Sequence, residues 1–161
     1  MTFTILCVDD SSDDTLLLRR ACRRAGVKFV LQSVDDGDKA IAYLGGMETF
    51  SDRVTYPVPT VVLLDLKMPT KSGFEVLAWV RNRPEYKSLP VAVFTSSHHD
   101  SDIREAYRKG ATCFLTKPVD YSQLVELVKA LDQCFENQQT FSDRLRTLEF
   151  YKPEPPPGSA A

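Results

Sequence analysis

With 161 residues and 43% hydrophobic content, the chain has material for one sizeable core and little beyond it, so a single domain is expected. Its 20 basic and 22 acidic side chains leave a formal charge of −2, which argues against a nucleic-acid or anionic-membrane surface and for a protein or small-molecule partner. No apolar run approaches the roughly 20 residues that span a bilayer, and MTFTILCVDD carries neither a basic region nor a cleavage-like segment, so a cytoplasmic protein is expected.

The first apolar run, FTILCV at 3–8, has the β-branched and aromatic content of a strand and ends on Asp9 and Asp10. Leu17, Leu18, Ala21, Cys22 and Ala25 then keep helical spacing up to Gly26. Asp13 and Asp14 fall in the first turn of that helix, where acids complement its dipole, and both read as structural. FVLQSV at 29–34 is a second strand whose Gln32 and Ser33 mark an edge. The VDDGD after it repeats the earlier acidic pair but reads as a turn. A helix over 38–44 leads into GGMETFSDRVTYPVP, residues 45–59, a longer connection than a compact α/β unit needs.

TVVLL at 60–64 runs without a polar break into Asp65, and Lys67, Met68 and Pro69 stop the chain. GFEVLAWVRNR at 73–83 is helical, and PVAVF at 90–94 is a strand that delivers Thr95. His98 and His99 sit side by side in a loop, where adjacent residues point apart, so a solvated loop is expected rather than a chelating pair. IREAYRKG at 103–110 is a short helix. TCFLT at 112–116 is a fifth strand that delivers Lys117. YSQLVELVKALDQCF at 121–135 is a longer helix with Leu124, Leu127, Val128, Leu131 and Cys134 on one side. The four cysteines, Cys7, Cys22, Cys113 and Cys134, lack metal-ligand spacing and mostly lie in apolar runs, so reduced buried thiols are expected.

Strand and helix alternating five times require crossover connections, hence an α/β fold with a doubly wound, five-stranded parallel sheet. A central parallel strand has no wet face, which explains the unbroken VVLL. Ligands of such sheets bind at the carboxyl ends of the strands. Asp9, Asp10, Asp65, Thr95 and Lys117 all arrive at that edge. Carboxylates gathered there repel one another unless a cation lies between them, and oxygen ligands of this kind suit Mg²⁺. With the charge offset, an Asp65 oxygen can attack an electrophilic phosphorus and form an acyl phosphate. Lys117 and Thr95 can share the phosphoryl oxygens with the cation.

VDD at 8–10, LLDLKMP at 63–69, PVAVFTSS at 90–97 and LTKP at 115–118 resemble, in order and position, the motifs of the response-regulator receiver family of two-component signalling. The likeness covers about 3–135 and implies a flavodoxin-like fold with strand order 2-1-3-4-5. It also implies phosphorylation of Asp65 from a histidine kinase's phosphohistidine. Mg²⁺ would be held by Asp10, Asp65 and the backbone carbonyl of Lys67, with Asp9 acting largely through water. Thr95 and Phe114 would form a switch pair, and the Lys117–Pro118 peptide bond would be cis. Phe114 keeps a plainer alternative as a core aromatic. Lys67 and Ser97, two positions beyond Asp65 and Thr95, would modulate hydrolysis. The long 45–59 connection is similar to that of small regulators partnering phytochrome-type kinases.

A receiver domain is therefore expected over 1–138, continued over 139–161 by an extension that is helical at first, then proline-rich and flexible. That extension is too short for a DNA-binding output domain, so output is expected through protein association, with a sensor histidine kinase upstream. Phe141, Leu145 and Leu148 continue the rhythm of the last helix with no obvious core to receive them, which points to a homodimer through that helix and the fifth strand. The alternative is that the extension folds back on its own domain. Two other functions stand beside the phosphoacceptor switch. A Mg²⁺-dependent phosphohydrolase of the haloacid-dehalogenase type would need an acid two residues after Asp65, where Lys67 stands, and a passive receiver-like interaction module would not need the intact constellation.

Overall fold

The computed structural model describes residues 2–136, 141–148 and 150–157. In chain order the elements are β1 (Thr4–Val8), α1 (Ser12–Ala25), β2 (Val30–Val34), α2 (Gly37–Gly45), β3 (Val61–Leu64), α3 (Gly73–Arg81), β4 (Val91–Thr95), α4 (Asp100–Arg108), β5 (Cys113–Thr116), α5 (Tyr121–Cys134), α6 (Phe141–Leu145) and β6 (Tyr151–Lys152). The helix ends reflect local chemistry. Ser11 caps α1 by accepting from the Asp14 amide, and Gly26 closes it with φ 66°. Ser72 and Glu75 form a reciprocal capping box at the start of α3.

The sheet order is β2-β1-β3-β4-β5-β6. The first five strands are mutually parallel in the expected 2-1-3-4-5 order. Successive strand residues face opposite sides, and two cores result. Ile5, Cys7, Val61, Leu63, Ala92, Phe94, Cys113 and Leu115 pack beneath α1 and α5. Leu6, Val8, Val62, Leu64 and Val91 pack against α2 and α3, while Val93 and Phe114 continue that face beneath α4. Each of the inner strands β1, β3 and β4 is buried along its whole length, as strands covered on both sides must be.

The expected five-stranded sheet has a sixth, antiparallel strand. Tyr151 and Lys152 pair with Leu115 and Phe114 along the edge of β5. The expectation of an exposed stripe running on from the last helix is also corrected. Leu145 is fully buried in the core shared by α1 and α5, and Leu148, Phe150 and Tyr151 pack against it. A Leu buried by its own domain cannot also present itself to a second copy, so Leu145 does not supply a dimer surface. The Phe141 side chain, residues 137–140 and the expected boundary at 138/139 lie outside the described residues.

The long connection before β3 is tethered rather than loose. Arg53 donates to the carbonyl oxygens of Tyr43 (2.8 Å), Leu44 (3.0 Å) and Tyr56 (3.2 Å), satisfying carbonyls at the end of α2. The Phe50 and Tyr56 rings pack on Tyr43. Among the described residues no helix is long and apolar enough to cross a membrane.

Candidate functional site

Three strands deliver their charged groups to one point because their registers align. The Asp65 amide donates to the Val8 carbonyl at 2.9 Å, which extends the β1–β3 ladder by one residue and sets Asp65 beside Asp9. The Lys117 amide donates to the Thr95 carbonyl at 2.8 Å, extending the β4–β5 ladder in the same way. Asp9 and Asp65 are buried, at 4% and 8% exposure, whereas Asp10 is exposed. One carboxylate oxygen from each of Asp9, Asp10 and Asp65 lies within 4.8 Å of the others.

The Lys117 ammonium is the centre of the arrangement. Its Nζ donates to Asp9 Oδ2 at 2.6 Å, to Asp14 Oδ2 at 2.9 Å and to Asp65 Oδ2 at 3.1 Å. The other oxygens are also held: Asp9 Oδ1 accepts from the Ser11 amide at 2.9 Å, and Asp65 Oδ1 accepts from the Lys67 amide at 3.3 Å. Burial pushes the Asp9 carboxyl upward from its ordinary value, against hydrogen bonds from Lys117 and Ser11 that pull it down. Burial lowers the Lys117 pKa, but hydrogen bonds to Asp14 and Asp9 and the charge of Asp65 outweigh it and hold the value above that of a free lysine. The ammonium form of Lys117 is thereby favoured.

The loop after Asp65 approaches very closely. The Gly73 amide donates to the Leu66 carbonyl at 3.0 Å, and a Cβ on Gly73 would stand 2.2 Å from the Asp65 carbonyl oxygen. Gly37 is similarly placed: a Cβ there would stand 2.8 Å from the Lys71 carbonyl oxygen. Both helices therefore begin with glycine where backbone from 65–71 passes.

Thr95 is buried, and its Oγ accepts from the Ser97 amide at a long 3.5 Å. Ser97 donates to Asp102 at 2.6 Å, tying the loop after β4 to the first turn of α4. Phe114 is fully buried beneath α4 with Leu66, Val93, Ile103 and Ala106, away from the carboxylates. A cleft of about 340 Å³ opens over Asp65, bordered by Asp14, Lys67, Thr95, His98, His99 and Lys117. His98 and His99 are exposed as expected, yet they border this cleft. The acidic decoy of the second strand is structural: Asp35 pairs with Lys39, and Asp36 caps α2.

Two expectations change. The peptide bond before Pro118 is trans, the form that an X–Pro bond favours unless its surroundings impose the other. Asp14, read as a dipole partner, instead grips Lys117. No local signal marks it, because Asp14 sits in the first turn of α1 and its partner lies 103 positions away.

The oxygen-only donor set of Asp9, Asp10 and Asp65 fits a hard divalent cation, and Lys117 adds a fixed positive charge beside it. Such a site can stabilise anionic oxygens around a nucleophilic carboxylate.

Known proteins resemble this chain over most of its length. The family model described as the response regulator receiver domain matches residues 5–129. The response regulator Rcp1 of Synechocystis sp. is 33% identical over 128 residues, covering 80% of this chain and 85% of its own. A Mn(2+)-bound structure of Rcp1 superposes with TM-score 0.70 at 30% identity, over 92% of this chain and 98% of that one. The phosphorylated cyanobacterial phytochrome response regulator RcpA gives 0.76 at 31% identity, over 85% and 96%. The response regulator RPA3017 in red light signalling of R. palustris gives 0.78 at 32% identity, over 84% and 95%.

Proposed function

The chain belongs to the response regulator receiver family, and from that premise we propose that it is a phosphorylation switch in a phosphorelay, with Asp65 as the phosphoacceptor and a sensor histidine kinase, of phytochrome type, as donor. Its relatives Rcp1 and RcpA are a response regulator and a phytochrome response regulator. The observation that carries the assignment to Asp65 is its buried carboxylate held between Lys117 and the acids Asp9 and Asp10, beneath an open cleft. Receiver domains accept a group rather than turn over substrate, so this is a switch and not a conventional enzyme.

In the transfer an Asp65 oxygen forms a bond to phosphorus while the phosphorus–nitrogen bond of the donor histidine breaks. The electron pair returns to the imidazole nitrogen. Lys117 orients to the phosphoryl oxygens, and the Thr95 hydroxyl is a second donor at the cleft. Asp9, Asp10, Asp65 and the Lys67 carbonyl would hold Mg²⁺, which when bound supplies positive charge to the phosphoryl oxygens. The acyl phosphate is later hydrolysed: water bonds to phosphorus, and Asp65 is regenerated with release of inorganic phosphate. Lys67 and Ser97 beside the route of water influence that rate.

Output runs in the cytoplasm through protein association, with Thr95 and Phe114 as the moving pair and with no nucleic-acid partner. Residues 1–138 act as the receiver, and 139–161 as an extension of it. Self-association through α5 and β5 is one form such output takes, and it requires the strand at Tyr151–Lys152 to leave the β5 edge. Acetyl phosphate with Mg²⁺ should add one acid-labile phosphoryl group to the protein, measured by intact mass, and Asp65→Asn should not acquire it. A group still present on the Asn variant refutes the acceptor assignment. Steady release of phosphate from many phosphomonoesters would favour the phosphohydrolase instead, and failure of any beryllofluoride adduct to form would favour a passive module.

A further inference from the structure

Asp14 makes the second-shortest of the three contacts to the Lys117 ammonium, although it does not belong to the carboxylate set able to hold a cation. An ammonium carries only three N–H groups, and here each has its own carboxylate: Asp9, Asp14 and Asp65. The Asp65 contact is the longest. Asp14 is itself well placed to hold, since its amide is fixed by the Ser11 cap on the first turn of α1. The root of Lys117 is fixed independently by the hydrogen bond its amide donates to the Thr95 carbonyl.

We propose that Asp14 is a positioning residue for phosphoryl transfer, holding the Lys117 ammonium so that its remaining N–H is aimed at Asp65. This rests on the reading of Asp65 as phosphoacceptor. Asp9 would not hold the ammonium alone, because its carboxylate would also serve a cation held with Asp10 and Asp65. Asp14 is the one acid of the clasp whose charge stays committed to Lys117 throughout. Without it, the donor loses one of two fixed points and turns toward the open cleft, which Asp14 borders. A bystander that merely complements the helix dipole would lack a hydrogen bond to an element 103 positions away.

The test is a double-mutant cycle on the full chain. Maximal phosphorylation rate by acetyl phosphate, and its half-saturation in Mg²⁺, are measured for wild type, Asp14→Ala, Lys117→Ala and the double variant, with melting temperature checked for each. Asp14→Ala should lower the maximal rate by about tenfold in the wild-type background and by less than about twofold once Lys117 is gone. Mg²⁺ half-saturation should move by less than about twofold, because Asp14 does not touch the cation. Asp14→Asn, which keeps an acceptor oxygen without the charge, should fall between, and it serves if the Ala variant folds poorly. Equal losses in both backgrounds, no loss at all, or a faster Asp14→Ala would overturn the proposal. A wild type that takes up no phosphoryl group removes the acceptor reading and this inference with it, whereas a phosphorylated wild type with unaltered variants removes only the inference.

Discussion

The Tyr107 hydroxyl donates to the Lys152 carbonyl at 2.5 Å and accepts from the Phe114 amide at 3.2 Å, so one side chain of α4 holds both β5 and the strand that covers it. Burial raises the Tyr107 pKa well above that of a free tyrosine, which keeps the hydroxyl protonated and able to donate. Tyr107→Phe should cost about 0.5–1.5 kcal/mol, the net worth of an ordinary hydrogen bond, and should loosen the tail selectively. Hydrogen exchange and limited proteolysis at 147–157 report this. Protection identical to wild type would mean that the tail is held by Leu145 and its neighbours alone.

Leu145 tests the fold-back from the other side. Fully buried in the α1/α5 core, it should cost about 2–5 kcal/mol when truncated to Ala, and the loss should appear as a lower melting temperature at every protein concentration. A Leu145→Ala protein with an unchanged melting temperature but altered sedimentation would restore the dimer surface and end the fold-back.

Much of this fold is legible because period and punctuation are local. The VVLL run reads as a doubly covered strand, Gly26 reads as a helix end, and Asp9, Asp65, Thr95 and Lys117 read as strand-end residues. The chain beyond Cys134 is not legible in this way. An i, i+3, i+4 rhythm is the same whether a helix runs on or a second one turns back, and only the Leu145 contacts distinguish the two. A two-residue strand such as Tyr151–Lys152 has no period at all; the antiparallel edge of β5 selects it. Asp14 was hidden for a further reason. Its role depends on Lys117, which the chain brings to it from the far end of the sheet.

Mg²⁺ should stabilise the native protein through the acidic cluster. A ligand bound only by the folded state adds RT ln(1 + [L]/Kd), about 2.7 kcal/mol at a hundredfold excess over Kd. Asp10→Asn removes one exposed member of the cluster without opening a buried cavity. Its melting temperature should therefore rise less with Mg²⁺ than that of wild type. Equal shifts in the two proteins would locate the cation elsewhere.

Burial pushes the thiols of Cys7 and Cys113 up to about 12 and that of Cys22 up to about 11, and it raises Cys134 as well. Since the thiolate is the nucleophile, the four cysteines should resist a thiol reagent in the native protein at pH 8, and all should react after denaturation. A thiol whose folded pKa exceeds its unfolded value near 8.5 favours the native state below that pH, and the advantage is lost as pH rises toward 12. Stability should decline above about pH 9, and Cys7→Ala should flatten part of that decline. Rapid labelling of the native chain would show that these sites open far more readily than their burial implies.

The two glycines that open α2 and α3 close a route that protein engineers commonly take. Exchange of Gly for Ala at an ordinary helical position gains about 0.4–1 kcal/mol by restricting the unfolded chain. At Gly73 the added methyl would meet the carbonyl oxygen of Asp65 at 2.2 Å, and at Gly37 it would meet that of Lys71 at 2.8 Å. Either the helix or the loop must then retreat, and the loop follows directly on Asp65. A thermostabilised version of this protein would have to find its gains elsewhere, because these helix starts are already matched to the backbone of Asp65 and Lys71.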